Sequence, residues 1–246
     1  NQVVLFADTF NTYFEPENVR AAKTVLEAGG YEVHFPRLDN ETRPLCCGRT
    51  YLAVGLVDEA KREMLRTLEA LRPYVDAGVS VVGLEPSCLL TMRDELQALV
   101  PSKDADALAQ RAVLFEEFLA SEHDNGKLSL PLQPIPNGRA LLHGHCHQKA
   151  FGAMSAVHKS LSLVPDLEVE TVTSSCCGMA GAFGYQAENF DVSMQMGEAS
   201  LLPAVRGAEP KTLIVADGTS CRHQIADGTE REAIHVARLL EQALSQ

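Results

Sequence analysis

The sequence has no apolar run approaching the roughly 18–20 residues that a membrane-spanning helix needs, so direct insertion into a bilayer is not expected. No signal-peptide pattern opens it, and its first residue is Asn rather than Met, which suggests an excised piece or a processed chain, the end of something longer. Basic clusters are also missing. Lys and Arg number 21 against 33 Asp and Glu, for a formal net charge of −12, which argues against nucleic-acid binding and against docking on anionic lipid. No GxGxxG fingerprint and no P-loop lysine is present, so the glycine-rich stretch from Gly178 to Gly184 resembles a phosphate loop only loosely. An even, spaced set of cysteines is absent too. The seven cysteines include two adjacent pairs, Cys46–Cys47 and Cys176–Cys177. Adjacent cysteines close a loop too small for relaxed disulfide geometry. An odd, vicinal set points to a reducing compartment and to metal or redox chemistry, not to a disulfide scaffold.

What the chain does contain is a repeat. In the first half an apolar strand, Val3–Ala7, precedes a helix from Pro16 to Ala28, with proline in the first turn and Gly29–Gly30 as the stop. The alternation of Tyr31, Val33 and Phe35 predicts a second strand. Leu45-Cys46-Cys47-Gly48 then turns into a helix reaching Tyr74, striped by Val57, Ala60, Met64, Leu68, Leu71 and Val75. A buried-type strand, Val79–Leu84, ends in Glu85-Pro86-Ser87-Cys88. The second half replays this order about 130 residues later. Strand Ala140–His143 leads to Gly144-His145-Cys146-His147 and a helix to Leu163. Strand Leu167–Val172 leads to Ser175-Cys176-Cys177-Gly178. A helix with Phe190, Met194, Gly197 and Leu201 on one face follows, Phe190 and Met194 reading as core stripe. Strand Thr212–Ala216 then ends in Asp217-Gly218-Thr219-Ser220-Cys221. Between the halves, Pro101–Glu122 reads as one helix with Leu108, Ala112, Phe115 and Leu119 inward, and the proline-containing segment from Gly126 to Gly138 reads as a linker. The expected fold is α/β: two tandem repeats, residues 1–130 and 131–246, related by a pseudo-twofold axis, each a small parallel sheet flanked by helices in the Rossmann manner.

In parallel α/β units ligands gather beyond the carboxyl ends of the strands. That places Cys146, Cys176, Cys177 and Cys221 towards one rim and Cys46, Cys47 and Cys88 towards another. For neighbouring sulfurs to reach one centre the chain must bend sharply, and Gly48 and Gly178 license such a bend. A helix N-terminus following each pair would offer N–H donors to thiolate charge. Four thiolates suit a [4Fe–4S] cluster or zinc, whereas three alone suit an incomplete or differently completed site. His143, His145 and His147 would share one strand face, with imidazole ligation or hydrogen bonding to sulfur both open. His143 reads as an ordinary hydrogen-bonder, and His147 and His223 as weak neighbours of the cluster cysteines. Arg222 reads as a charge offset or a helix cap, and Glu85 and Asp217 as turn formers or acidic neighbours. Any single cysteine can also be a small buried hydrophobe.

Leu45–Gly55 (LCCGRTYLAVG), Glu85–Leu90 (EPSCLL), His145–Lys149 (HCHQK), Ser175–Tyr185 (SCCGMAGAFGY) and Ala216–Arg222 (ADGTSCR) together resemble the cysteine-rich CCG family. The B subunit of heterodisulfide reductase, the iron–sulfur subunit of glycolate oxidase and lactate utilisation protein A belong to it. The residues here are most similar to the C-terminal region of fused FAD-linked oxidase/Fe–S oxidoreductases. A full family repeat supplies a single Cys, the pair and a closing Cys-x-x-Cys. Cys146, Cys176, Cys177 and Cys221 match these positions, with Gly218 replacing the first closing cysteine. In the first repeat the opening position falls around Asp8 to Asn11 and Glu85 stands where the closing motif begins, which leaves Cys46, Cys47 and Cys88. Asp8 or a neighbour could complete a site there, or that half is a relic that shapes the other. The resemblance implies an iron–sulfur electron-transfer module, with [4Fe–4S] the expected cluster and zinc a possibility in one half. FAD would sit only on a partner dehydrogenase for a 2-hydroxy acid of the lactate, glycolate or 2-hydroxyglutarate type, beside a ferredoxin-like Fe–S domain. It further implies a cytoplasmic setting, peripheral to the inner membrane through partners. The rival readings are disulfide chemistry of the heterodisulfide-reductase kind and a structural zinc scaffold.

Overall fold

The structure is a computed structural model that describes residues 1–38 and 43–245. In the first repeat the elements are β1 (Gln2–Phe6), α1 (Thr9–Tyr13), α2 (Pro16–Ala28), β2 (Glu32–His34), α3 (Arg49–Ala53), α4 (Val57–Asp76), β3 (Ser80–Gly83), α5 (Pro86–Thr91), α6 (Glu95–Leu99), α7 (Lys103–Arg111), β4 (Ala112–Leu114) and α8 (Phe115–Asp124). The second repeat contains β5 (Arg139–Leu142), α9 (Cys146–Ala150), α10 (Met154–Leu161), β6 (Glu168–Thr171), α11 (Phe190–Glu198), α12 (Leu201–Gly207), β7 (Leu213–Val215), α13 (Thr219–Gly228), β8 (Ala233–Ile234) and α14 (Val236–Ala243). The sheets have strand orders β2-β1-β3-β4 and β6-β5-β7-β8, and every pairing is parallel. The second order is the first shifted by four strands, so one topology is used twice.

Strand alternation explains the layering, because successive side chains point to opposite faces. Val3, Leu5, Val82 and Leu84 enter one core together with Ala140, Leu142 and Val215 of the other repeat. Their neighbours Val4, Phe6 and Val81 face a core confined almost wholly to the first repeat, and Leu141, Ile214 and Ala216 one confined to the second. The shared core is filled by helices from both halves, with α2 packed on α14 and α8 on α10. A central helical layer therefore welds two sheets that are each covered on both faces, as parallel sheets require.

Several local expectations are corrected. The stretch 101–122 is not one helix. Leu108, Ala112, Phe115 and Leu119 are all buried as the helical period proposed, yet Ala112–Leu114 is extended and pairs with β3. Local periodicity cannot register a vacant place beside β3, and that tertiary demand wins. The helix after Cys47 breaks where Gly55 adopts φ +80°, and Val57 at its restart is exposed. The helix after Cys146 likewise breaks at Gly152, φ +71°. Helix α11 ends before Leu201. Phe190 is 51% exposed and not core, while Ser193 and Gly197 face inward. The 126–138 segment carries no helix or strand, but it buries Leu128 and Ile135 in the shared core, and Leu132 bridges Leu244. No helix among the described residues is long and apolar enough to cross a membrane.

Candidate metal centre

The shared topology puts β1 beside β3 and β5 beside β7, the switch points where the crossover connections diverge and a crevice opens at the carboxyl ends. Cys88 lies in the first turn of α5 after β3, Cys146 opens α9 after β5, and Cys221 lies in the first turn of α13 after β7. The two pairs sit in the loops that follow β2 and β6. Instead of two rims there is one cavity of about 440 Å³, lined by Cys88 together with Cys146, Cys176, Cys177 and Cys221. Cys47 is buried behind Cys88 and in contact with it. The expectation of separate rims is thus corrected, because residues of both repeats line the same cavity. All seven cysteines are free thiols.

Within the second repeat the sulfurs form a chain of contacts, Cys146 to Cys176 to Cys177 to Cys221. Hydrogen bonds from the Cys146 and Cys177 thiols, with the backbone N–H groups of Gly178 and Ala180, hold the Cys176 thiol far below its usual range. A Cys177 bond, helped by His143 and His145, draws Cys221 well down despite its burial. The other two shift the opposite way: bonding to Cys176 and burial push Cys146 up, and bonds to Cys176 and Cys221 with burial push up Cys177. The shared hydrogen bonds thus favour the ionised form at Cys176 and Cys221 and disfavour it at Cys146 and Cys177. The first-repeat trio differs. Contact with Cys47 and burial raise Cys46. Bonding to Cys46 lowers Cys47, but its Cys88 bond and burial outweigh this. Cys88 stands at about 12, where the pull of Cys47 is overcome by burial and the charges of Asp8 and Glu85.

Both pairs make the same turn. The N–H of Gly178 donates to Cys176 Sγ at 3.3 Å and that of Gly48 to Cys46 Sγ at 3.5 Å. Gly178 has φ +101° and Gly48 φ +84°. A Cβ would stand 2.1 Å from the Ser193 carbonyl oxygen at the first and 2.8 Å from that of Ala60 at the second. Both positions thus exclude a side chain twice over, by conformation and by space. Gly48 caps α3, but no helix follows Gly178 directly. Its loop continues through Ala180 and Gly181, both at positive φ.

The remaining predicted residues separate into those near the sulfurs and those holding the frame. His145 is not on a strand face with His143 and His147, because β5 ends at Leu142. It caps α9 by accepting from the His147 N–H at 3.1 Å, and its ring stacks on His147. His147 reaches across to Arg49 Nη2 at 3.0 Å, and burial and the Arg49 charge press its pKa down to about 4. His223 turns away to the Tyr185 hydroxyl at 2.6 Å. Asp8, pushed up to about 6 by burial and Glu85, is occupied as the cap of α1, taking the N–H groups of Phe10 and Asn11 and the Asn11 amide. His143, read from sequence as an ordinary hydrogen-bonder, instead groups with Cys177 and Cys221, all three within 4.8 Å of one another.

Polar contacts that sequence reasoning missed tie the halves together beneath the cavity. Glu85 accepts from Ser87 Oγ at 2.7 Å in its own repeat and from the Thr219 N–H at 2.8 Å in the other, so one carboxylate caps both α5 and α13. Buried Arg222 is neither a simple cap nor a free charge. It grips Glu15 with Nε at 2.7 Å and Nη2 at 2.5 Å, and donates Nη1 to the Ala216 carbonyl at 2.8 Å. Asp217 accepts from Gln148 Nε2 and the Val236 N–H beside buried Glu116 and His235. Nothing local marks Glu15, which merely precedes Pro16. Its role exists only once α13 lies against the end of α1.

Residues 140–226 match the family model described as the CCG cysteine-rich domain. Across its full length the chain is 31% identical to the C subunit of the anaerobic glycerol-3-phosphate dehydrogenase of Escherichia coli K12, spanning 60% of that protein. It is 28% identical to the D-2-hydroxyglutarate dehydrogenase of Pseudomonas putida over 95% of this chain and 21% of that one. It is 25% identical to lactate utilization protein A of Bacillus velezensis over 97% of this chain and 98% of that protein. The sulfur quartet lies wholly inside the segment that matches the CCG cysteine-rich domain model.

Proposed function

We propose that the chain is an electron-transfer module in which Cys146, Cys176, Cys177 and Cys221 hold an iron–sulfur cluster, with [4Fe–4S] as its type. The observation that carries this reading is the unbroken run of four sulfurs in contact around one cavity. Soft thiolate donors favour iron–sulfur or zinc over hard cations. The backbone N–H groups aimed at Cys176 supply the donors that such sulfur accepts. The bound cluster would pass single electrons onward from a flavin-bearing partner, which takes two electrons as hydride from a small secondary alcohol. The names of the relatives extend the substrate class beyond 2-hydroxy acids to glycerol 3-phosphate. Because the chain spans under two thirds of the first of these proteins, the substrate and the flavin and ferredoxin-like partners belong to this proposal. Cys46, Cys47 and Cys88 lack a fourth sulfur, and burial and mutual contact push their pKa values up, so a centre there would need a non-cysteine ligand.

The test is anaerobic purification or reconstitution, followed by iron, sulfide and zinc analysis and visible absorption. A brown protein with iron and sulfide in near-equal amounts is expected, and each of Cys146→Ser, Cys176→Ser, Cys177→Ser and Cys221→Ser should lose most of it. Stoichiometric zinc in a colourless protein would overturn the reading. A second reading, disulfide cleavage at the cluster, draws on the cavity. Its volume of about 440 Å³ falls among small-molecule sites of about 300–1,000 Å³. Turnover of small disulfides by the reduced protein would favour it.

A further inference from the structure

We infer that His143 is a positioning residue that donates its Nε2–H to the Cys221 sulfur and so raises the reduction potential of the centre held there. This rests on the cluster reading above. His143 is almost wholly buried, and its Nδ1 lies 3.0 Å from Ser174 Oγ. Its Nε2 is buried and has no hydrogen-bond partner in the structure. A polar ring nitrogen in that state costs free energy unless something accepts its proton. The ring lies beside Cys177 and Cys221, whose sulfurs fall within 4.8 Å of one of its nitrogens.

The surroundings fix which nitrogen carries the proton. Lys149 Nζ, which has only donors, reaches the Ser174 carbonyl oxygen at 2.5 Å and Ser174 Oγ at 3.4 Å. With Lys149 donating to Ser174 Oγ, the serine hydrogen is free to point at His143 Nδ1, which then accepts. A Nδ1 that accepts from the serine leaves the ring proton on Nε2, facing sulfur. Cys221 can take it, because its sulfur has lone pairs to accept with and belongs to the group that lies within 4.8 Å of the ring. The result is a directed relay from ammonium to hydroxyl to imidazole to sulfur. A hydrogen bond to cluster sulfur stabilises the more negative, reduced state, which is one of the protein's levers on potential.

The experiment pairs His143→Leu with His143→Gln, whose Nε2 amide can reproduce the donor. Iron per chain and the midpoint potential, by EPR-monitored redox titration, are measured on the anaerobically reconstituted protein. Unchanged iron in both variants, a lower potential in His143→Leu and its recovery in His143→Gln are expected. An unchanged potential in His143→Leu overturns the inference. Loss of iron from both variants also overturns it, by making His143 a ligand instead of a donor. Long-range ¹H–¹⁵N spectra of the metal-free wild-type protein supply a readout that needs neither variant nor cluster. The Nε2–H tautomer is expected, and the Nδ1–H tautomer refutes the relay. Wild-type protein that takes up no iron and sulfide sinks the cluster reading, while the tautomer still decides the direction of the hydrogen bonds.

Discussion

Replacing Arg222 by Met removes the guanidinium that joins the two repeats beside Cys221 and leaves Glu15, whose side chain is only 16% exposed, without its partner. Breaking a buried ion pair from one side costs about 3–5 kcal/mol, because the remaining charge is left unpaired. Four hydrogen bonds go with it: two to Glu15, one to the Ala216 carbonyl and one to Thr219 Oγ1. For a chain of this size each kcal/mol shifts the melting temperature by about 2–4 °C, so a loss of roughly 6–20 °C is expected in thermal unfolding followed by circular dichroism. Arg222→Lys keeps the charge but not the two-pronged grip, and should fall between. Combining Arg222→Met with Glu15→Gln should cost less than the sum of the two single changes, since the orphaned charge is gone. The pH dependence has a definite sign. Burial alone would raise the Glu15 pKa, but the Arg222 hydrogen bond and charge bring it below its usual 4.5. A depressed carboxylate contributes stability that is fully present above the unfolded value and is lost as pH falls through the folded one. The stability gap between wild type and Glu15→Gln should accordingly narrow below about pH 4.5. A melting temperature for Arg222→Met within a degree of wild type, or strict additivity with Glu15→Gln, would refute the clamp.

The two glycine turns differ in tightness, so Gly178→Ala should destabilise more than Gly48→Ala. Positive φ alone costs each of them about 1–3 kcal/mol, and urea midpoints at fixed slope measure the difference. Burial and the Asp217 charge hold Glu116 well above its usual 4.5, and neither of its buried oxygens has a partner. The unfolded chain ionises as pH rises past 4.5 while the folded one does not, so stability drains away with rising pH. Glu116→Gln should therefore gain on wild type between pH 5 and 8, and a parallel pair of pH profiles would count against this. Glu85→Gln retains the shape but weakens two helix caps at once. A loss of about 1–2 kcal/mol is expected, with faster amide exchange at Thr219 than in wild type.

Much of the fold was legible because the repeat states each element twice. The limits of α2 follow from Pro16 and Gly29–Gly30, and the parallel sheets follow from β-rich runs alternating with helical ones. What stayed hidden depends on partners distant in sequence. Strand β4 looks helical by its own spacing and is extended only because β3 has an open side. Phe190 looks like core because its helix is amphipathic, yet the buried face belongs to Ser193 and Gly197, where the backbone comes close to Cys177. The cysteines announced themselves by pairing and register. His143 did not, because a histidine after a strand is common, and only the fold places the Cys177 and Cys221 sulfurs at its free nitrogen. Likewise, nothing in sequence reveals that the two sulfur sets look into one cavity.

That shared cavity bears on why a first repeat with an incomplete sulfur set is part of the architecture. Its Glu85 occupies the place where the family pattern begins the closing motif, and this carboxylate caps the helix that carries Cys221 in the other repeat. Its Glu15 fixes Arg222, the residue next to Cys221, and its Arg49 holds His147, the residue next to Cys146. The Leu84 carbonyl, just after β3, lies 3.1 Å from the His235 ring nitrogen, next to Asp217 beyond the end of β7. Each contact constrains a segment at or beside one of the sulfurs of the quartet, and each crosses between repeats. An electron-transfer centre gains from such rigidity, since reorganisation of its ligands opposes every transfer. The first repeat therefore acts as the rigid half of the second repeat's site, whether or not its own three cysteines bind anything.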